Sequence, residues 1–135
     1  MAFILLLGGL RYSHAADTPS DAAVRPWNQG QYMQLNSSGN MTPVTDQNQV
    51  LGPAFDAKNA TDNDVKGSGK VTVVVGTFIA ENDQVASGIN PGINDLLYVD
   101  STGKITNVAQ GKVIGKTITA EDSDGFLRYY GNVEY

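Results

Sequence analysis

The feature that most constrains the fold of this chain is an internal duplication. Residues 35–45 read LNSSGNMTPVT and residues 99–109 read VDSTGKITNVA, and the two segments align without a gap, 64 positions apart. Ser, Gly, Thr and Val stand at four matching places, and Leu/Val and Met/Ile pairs preserve the apolar positions. After one residue of slippage, VLG at 50–52 matches VIG at 113–115. We therefore predict two related units, residues 31–52 and 96–120.

Each unit has the pattern of a β-hairpin. In the second unit an apolar run, residues 96–99, ends at Asp100, and Gly103 follows three residues later. An Asp or Asn side chain accepts hydrogen bonds from the backbone of a turn, and glycine adopts the positive φ that such turns require. Asn36 and Gly39 occupy the same places in the first unit. The sequence therefore predicts equivalent turns, at which valine in place of either glycine costs a similar free energy of unfolding.

The rest of the chain also favours strands. Alternating apolar residues at 70–79, 112–120 and 126–135 indicate three further strands, and no stretch of twelve residues has helical periodicity. The 15 glycines suit short strands joined by tight turns. We predict an all-β protein. Its single domain, residues 31–135, resembles a small β-barrel or β-sandwich, and an extended N-terminal arm and linker, residues 1–30, precedes it.

The apolar N-terminus, MAFILLLGGL, permits three interpretations: an arm that docks on a partner, the first strand of the core, or a retained secretory signal sequence. No Lys or Arg precedes the run, as it would in a signal peptide, and a membrane span needs about 20 apolar residues. The polar, proline-containing segment that follows favours the arm, and it predicts that a chain lacking residues 1–10 still folds. The predicted partner contacts are Phe3, Ile4, Leu5, Leu6, Leu7 and Leu10.

The composition argues against several classes of function. The chain has no Cys and one His, His14, which excludes thiolate metal sites, cysteine nucleophiles and mechanisms that need two imidazoles. A formal net charge of −5 with only 9 Lys and Arg disfavours binding to phosphate backbones. The triplet GKT at 115–117 lacks the spacing of a phosphate-binding loop, and the acidic turn at 122–125 lacks a full set of calcium ligands. We therefore predict no enzyme activity, cofactor, metal ion, nucleic-acid partner or membrane.

Residues 90–120 resemble the head decoration, or cement, proteins of tailed bacteriophages. In that family a hairpin of the pattern G-D-x-hydrophobic-x-V/L-D-x-x-G-K-hydrophobic precedes a strand containing hydrophobic-I-G. The matching residues in this chain are Gly92, Leu97, Val99, Asp100, Gly103, Lys104, Ile105, Val113, Ile114 and Gly115. The resemblance covers about a quarter of the chain, or about half if the first unit is included, and the apolar N-terminus does not align.

The resemblance implies a non-enzymatic virion protein on the exterior of the capsid. Such a protein would bridge subunits of the major capsid protein, stabilise the head and associate with itself as a homodimer or homotrimer. Another phage structural role, in a tail tube or fibre, stays open. The alternative is a secreted or cell-surface β-rich binding module, such as an adhesin or glycan-binding domain, with the apolar N-terminus as its signal peptide.

Overall fold

A computed structural model describes residues 3–15, 27–55 and 70–133 of the chain. Every regular element in these ranges is a β-strand, so the predicted all-β class is confirmed. The strands are β1 (Phe3–Ala15), β2 (Tyr32–Leu35), β3 (Met41–Pro43), β4 (Val50–Pro53), β5 (Lys70–Asn82), β6 (Leu96–Val99), β7 (Ile105–Thr106), β8 (Gly115–Thr119) and β9 (Leu127–Val133). This part of the chain contains no helix able to cross a bilayer. Most of the predicted linker, residues 16–26, lies outside the described residues.

The strands form two antiparallel sheets. The larger has six strands in the order β1-β5-β9-β8-β6-β7, and the smaller has three in the order β3-β2-β4. Neither sheet closes into a barrel, so the prediction of a small β-barrel is wrong. The two sheets meet at β5, where Ala54 forms a bridge with Val73 and the Phe55 N–H donates to the Thr72 carbonyl at 2.8 Å.

The long strand β5 lies between two hydrophobic cores. Val74, Phe78 and Ala80 belong to the larger core, whereas Val71 and Val73 belong to the smaller one. Successive side chains of a strand point to opposite faces, which explains how one strand contributes to both cores. The other buried members of the smaller core are Trp27, Met33, Met41 and Ala54.

The two units related in sequence have the same strand register in the structure. The paired residues of the hairpins are Gln34–Thr42 and Leu35–Met41 in the first unit, and Tyr98–Thr106 and Val99–Ile105 in the second. In each unit a third strand pairs on the other side of the first, so the order β3-β2-β4 recurs as β7-β6-β8. Gly52 lies opposite Met33, and Gly115 lies opposite Leu97 in the corresponding place. The repeat therefore extends from the hairpins to two three-stranded units.

The turns at Asn36 and Asp100 have the same hydrogen bonds. The side-chain oxygen Oδ1 of Asn36 accepts hydrogen bonds from the backbone N–H groups two and four residues later, both at 3.0 Å. Oδ1 of Asp100 accepts the equivalent pair at 2.8 and 3.1 Å. Gly39 and Gly103 have φ values of 79° and 83°, the left-handed conformation that the turns require. These side chains therefore stabilise the backbone of the hairpins.

A third turn of the same construction joins β8 to β9. Oδ1 of Asp122 accepts hydrogen bonds from the N–H groups of Asp124 and Phe126, at 2.9 and 3.0 Å. The Gly125 N–H donates to the Asp122 carbonyl at 3.1 Å, as the Gly103 N–H does to the carbonyl of Asp100. The acidic segment at 122–125 therefore forms a turn with the same Asp-x-x-Gly spacing and the same backbone hydrogen bonds as the turn at Asp100.

The surroundings of the two predicted turn glycines differ. A Cβ added at Gly39 would have no atom within 4 Å, whereas one at Gly103 would lie 2.7 Å from the Tyr32 carbonyl oxygen and 3.0 Å from Cγ of Gln31. The second turn also packs on the start of β2, where the Tyr32 N–H donates to the Gly103 carbonyl at 2.8 Å. The expectation of similar costs at the two sites is corrected accordingly, because only Gly103 is enclosed.

The N-terminal segment is a strand of the larger sheet, which corrects the interpretation as a free arm. β1 runs antiparallel along the whole of β5, from Phe3 opposite Asn82 to Ala15 opposite Lys70. Phe3 is 4% exposed and packs edge-to-face on Phe78, with ring centroids 6.3 Å apart. Of the three interpretations, the structure matches the core strand. The predicted contact residues divide into buried or half-buried ones, Phe3 and Leu5, and exposed ones, Ile4, Leu6, Leu7 and Leu10.

Candidate functional site

Five side chains form a row across the outer face of the six-stranded sheet. In register, Leu7 of β1 lies opposite Ile79 of β5, and Ile79 lies opposite Tyr130 of β9. Tyr130 lies opposite Lys116 of β8, and Lys116 lies opposite Leu96 of β6. Directly opposed residues of antiparallel strands are neighbours on one face, so the five side chains are contiguous. We call this set the cross-sheet row.

The cross-sheet row is mostly apolar and accessible. Leu7 is 66% exposed, Leu96 51% and Tyr130 40%, whereas Ile79 is half-buried. Contiguous exposed apolar surface on a sheet is typical of contact sites for other macromolecules. The row is therefore the candidate functional site of the described residues.

Polar pairs lie on both sides of the cross-sheet row, although exposed Ile4 of β1 lies opposite Glu81. On one side Thr77 is opposite Asn132, and both are exposed. On the other side Glu81 is opposite Arg128, and Nη2 of Arg128 lies 2.8 Å from Oε1 of Glu81 in a solvent-accessible ion pair. An apolar centre with a polar rim is the usual composition of a protein–protein interface.

A depression in this face adjoins the row. Its volume is about 190 Å³, and its walls are Leu7, Gly8, Thr77, Phe78, Ile79 and Tyr130. Gly8 forms part of a β-bulge in β1 and has a φ of 73°. A Cβ at Gly8 would lie 2.8 Å from the Thr77 carbonyl oxygen, so a side chain there would strain the close approach of β1 to β5. Glycine at this position thus shapes the depression.

A buried polar cluster lies on the core side of the sheet. The hydroxyls of Tyr32 and Tyr129 are 2.7 Å apart and joined by a hydrogen bond. Nδ2 of Asn82 donates to the Gly30 carbonyl at 2.9 Å, and Oδ1 of Asn82 accepts from the Gln84 N–H at 2.9 Å. Burial raises the pKa of Tyr129 to about 12, and burial together with the neighbouring Tyr129 raises the pKa of Tyr32 well above 10.0. Both phenols are therefore neutral at physiological pH, and the cluster ties β2 to β9.

We expect the two buried tyrosines to make the protein sensitive to alkali. Above pH 10 the unfolded chain loses phenolic protons that the folded state keeps, so the folded state binds more protons and the free energy of unfolding falls as pH rises. The slope is about 1.4 kcal/mol per pH unit for each tyrosine, between pH 10 and the folded pKa. Below about pH 9 these tyrosines contribute no slope.

Urea unfolding between pH 8 and 11.5 measures that slope. The Tyr129→Phe variant is the matched control: it loses stability at neutral pH, because the Tyr32 hydroxyl loses a partner, and its alkaline slope is about half that of the original protein. Equal slopes for the two proteins would contradict the assignment.

The turn residues and the partner-contact residues predicted from the sequence lie in different parts of the structure. The turn residues Asn36, Gly39, Asp100 and Gly103 stabilise the hairpins and do not belong to the cross-sheet row. Of the predicted contact residues only Leu7 belongs to the cross-sheet row. Ile4 lies nearby, opposite Glu81. Sequence reasoning missed Ile79, Lys116, Tyr130 and Leu96 as surface neighbours, because their adjacency depends on the register of four strand pairs.

The described ranges hold no cluster of three or more His, Cys, Asp or Glu side chains that could bind a metal ion. No model of a protein family matches the chain, and no curated protein matches it significantly. The chemistry of the cross-sheet row is therefore the basis for a function.

Proposed function

We propose that this protein is a structural virion protein that binds the outer surface of a phage capsid and stabilises the head by bridging subunits of the major capsid protein. The observation that carries the proposal is the cross-sheet row, an exposed and mostly apolar strip between polar pairs, with a depression beside it. The hairpin of residues 90–120, which resembles that of decoration proteins, supports the same role.

The mechanism is burial of the row against the capsid. A fully buried large apolar side chain contributes about 1.5–3 kcal/mol, from which the cost of ordering both partners is subtracted. The depression between Leu7 and Tyr130 would accept one apolar side chain of the capsid protein, and such a filled pocket concentrates binding energy. Each contact is modest, but bridging two subunits makes the second contact intramolecular and strengthens attachment.

The pairing of β1 favours this role over a secreted module with a cleaved signal peptide. Cleavage near Ala16 would remove all of β1 and the buried ring of Phe3, leaving the adjoining edge of β5 without its partner. A surface module that keeps residues 3–15 would not face this objection, and the binding experiment below separates it from the virion role.

Capsid binding tests the proposal. Co-sedimentation with purified heads that lack this protein is expected to show saturable binding, and Leu7→Asp and Tyr130→Asp should each weaken it at least about tenfold, equivalent to about 1.4 kcal/mol. Ile93→Asp is the matched control, because Ile93 is 68% exposed but lies in the loop before β6. Binding that resists both row variants, or no binding to heads at all, would reject the proposed role.

A further inference from the structure

The cross-sheet row contains one charged side chain, Lys116. It is exposed and lies in β8, between Tyr130 of β9 and Leu96 of β6. Within the part of the chain that the structure describes, no carboxylate lies within ion-pair distance of its ammonium group, whereas Arg128 of β9 is paired with Glu81. Lys116 is therefore a cation that lacks a described counter-charge and interrupts an otherwise uncharged strip.

The charge of this face differs in sign from that of the whole chain. In the row and the polar pairs beside it, Lys116 and Arg128 are positive and Glu81 is negative, which leaves a formal charge of +1. The whole chain has a formal net charge of −5. Because docked protein surfaces have complementary potentials, this face suits an acidic surface better than the rest of the molecule does.

A partner that covers the row removes water from Lys116. An ammonium group that is buried without an opposite charge is costly, because it loses its hydration and gains nothing in return. Its two neighbours in the row, Leu96 and Tyr130, are uncharged and offer no compensation. The negative charge must therefore come from the partner.

We propose that the surface that docks on the cross-sheet row carries a carboxylate opposite Lys116 and, about 10 Å from it, an apolar side chain that enters the depression beside Leu7. The separation follows from the sheet, because Ile79 of β5 lines the depression and β8 is two strands from β5. Neighbouring strands are about 4.8 Å apart. The inference rests on the proposed capsid role and describes the partner's side of that contact.

The two contacts contribute differently. Burial of the apolar side chain supplies affinity, whereas the ion pair distinguishes one apolar surface from another. A surface that fits the depression but has no carboxylate leaves Lys116 buried and unpaired, so it is rejected. Lys116 is thus the specificity-determining residue of the cross-sheet row.

Co-sedimentation with purified heads that lack this protein tests the charge of the partner. Lys116→Met keeps an unbranched side chain without the charge and should weaken binding about tenfold or more, and Lys116→Glu about a hundredfold or more. Lys116→Arg should bind within about threefold of the original protein, because it keeps the charge. Lys70→Met is the matched control, since Lys70 is exposed at the start of β5, outside the row.

The outcomes separate this inference from the capsid role. Equal or tighter binding by Lys116→Met, with binding still weakened by Leu7→Asp and Tyr130→Asp, would overturn the carboxylate and leave the capsid role intact. Binding that resists all the row variants, or no binding to heads at all, would reject both.

Carbodiimide cross-linking of decorated heads identifies the carboxylate. The reagent joins a lysine amine to a carboxylate in contact with it and takes up the water that this amide bond releases. Mass spectrometry is expected to find Lys116 linked to an Asp or Glu of the major capsid protein. Heads that bind Lys116→Arg should give no such link, because a guanidinium does not couple. A Lys116 that stays uncoupled on saturated heads would overturn the proposal.

Discussion

Valine in place of Gly103 is expected to destabilise the domain by about 3–5 kcal/mol, whereas valine in place of Gly39 costs about 1–2 kcal/mol. Both substitutions force a β-branched residue into a left-handed conformation, which accounts for the smaller value. At Gly103 the new side chain also meets the carbonyl oxygen of Tyr32 at 2.7 Å. That oxygen belongs to Tyr32, a fully buried residue at the start of β2, so the clash is relieved only if the second turn moves away from the first unit.

Denaturant unfolding of both variants, with Ser38→Ala and Thr102→Ala as controls, measures the difference. Both control side chains are exposed, and each loss is expected to stay below about 1 kcal/mol, even though Oγ1 of Thr102 donates to Asp100 at 2.6 Å. Equal losses at the two glycines would mean that the second turn does not pack on β2 in solution.

Removal of residues 1–10 is expected either to unfold the protein or to lower its melting temperature by about 10–20 °C. The deletion takes away the strand that covers the second half of β5, and with it the Phe3 ring that packs on Phe78. Loss of a buried phenylalanine alone costs about 3–5 kcal/mol, a large part of a total stability of about 5–15 kcal/mol. This outcome is the opposite of the one that the sequence alone predicts.

Two point variants separate the contributions of packing and strand pairing. Phe3→Ala should lose about 3–5 kcal/mol, and Leu6→Ala, at a largely exposed position of the same strand, less than about 1 kcal/mol. Thermal unfolding followed by circular dichroism gives the values. A truncated protein with the melting temperature of the full chain would restore the interpretation of residues 1–10 as an arm.

The parts of the fold that sequence could predict are those decided by neighbouring residues. The turns at Asn36 and Asp100 depend on hydrogen bonds that reach at most four residues along the chain, so residue type and spacing identify them. The equal register of the two units follows from their equal spacing. The same reasoning fails for valine at Gly103, because the stability lost there depends on a contact with Tyr32, which is far away in the sequence.

Sequence alone could not predict how the apolar N-terminus pairs or where the candidate site lies, and the physical reason is the same in both cases. Whether Phe3 is buried and Leu7 exposed depends on β5, which begins 55 residues after β1 ends. The alternation in β9 marks Tyr130 as a residue of one face, but its contact with Ile79 follows from a pairing between distant strands. A short apolar run has no period that distinguishes an arm from an edge strand.

The placement of β5 between two cores also guards the chain against a folding error. In a strand with one buried face, a shift of one residue exposes the buried side chains of that face alone. In β5 the same shift would withdraw Val73 from the smaller core and Val74 from the larger one together. A mispaired intermediate would therefore lose contacts in both cores. Each core thus favours the correct register between β1 and β5.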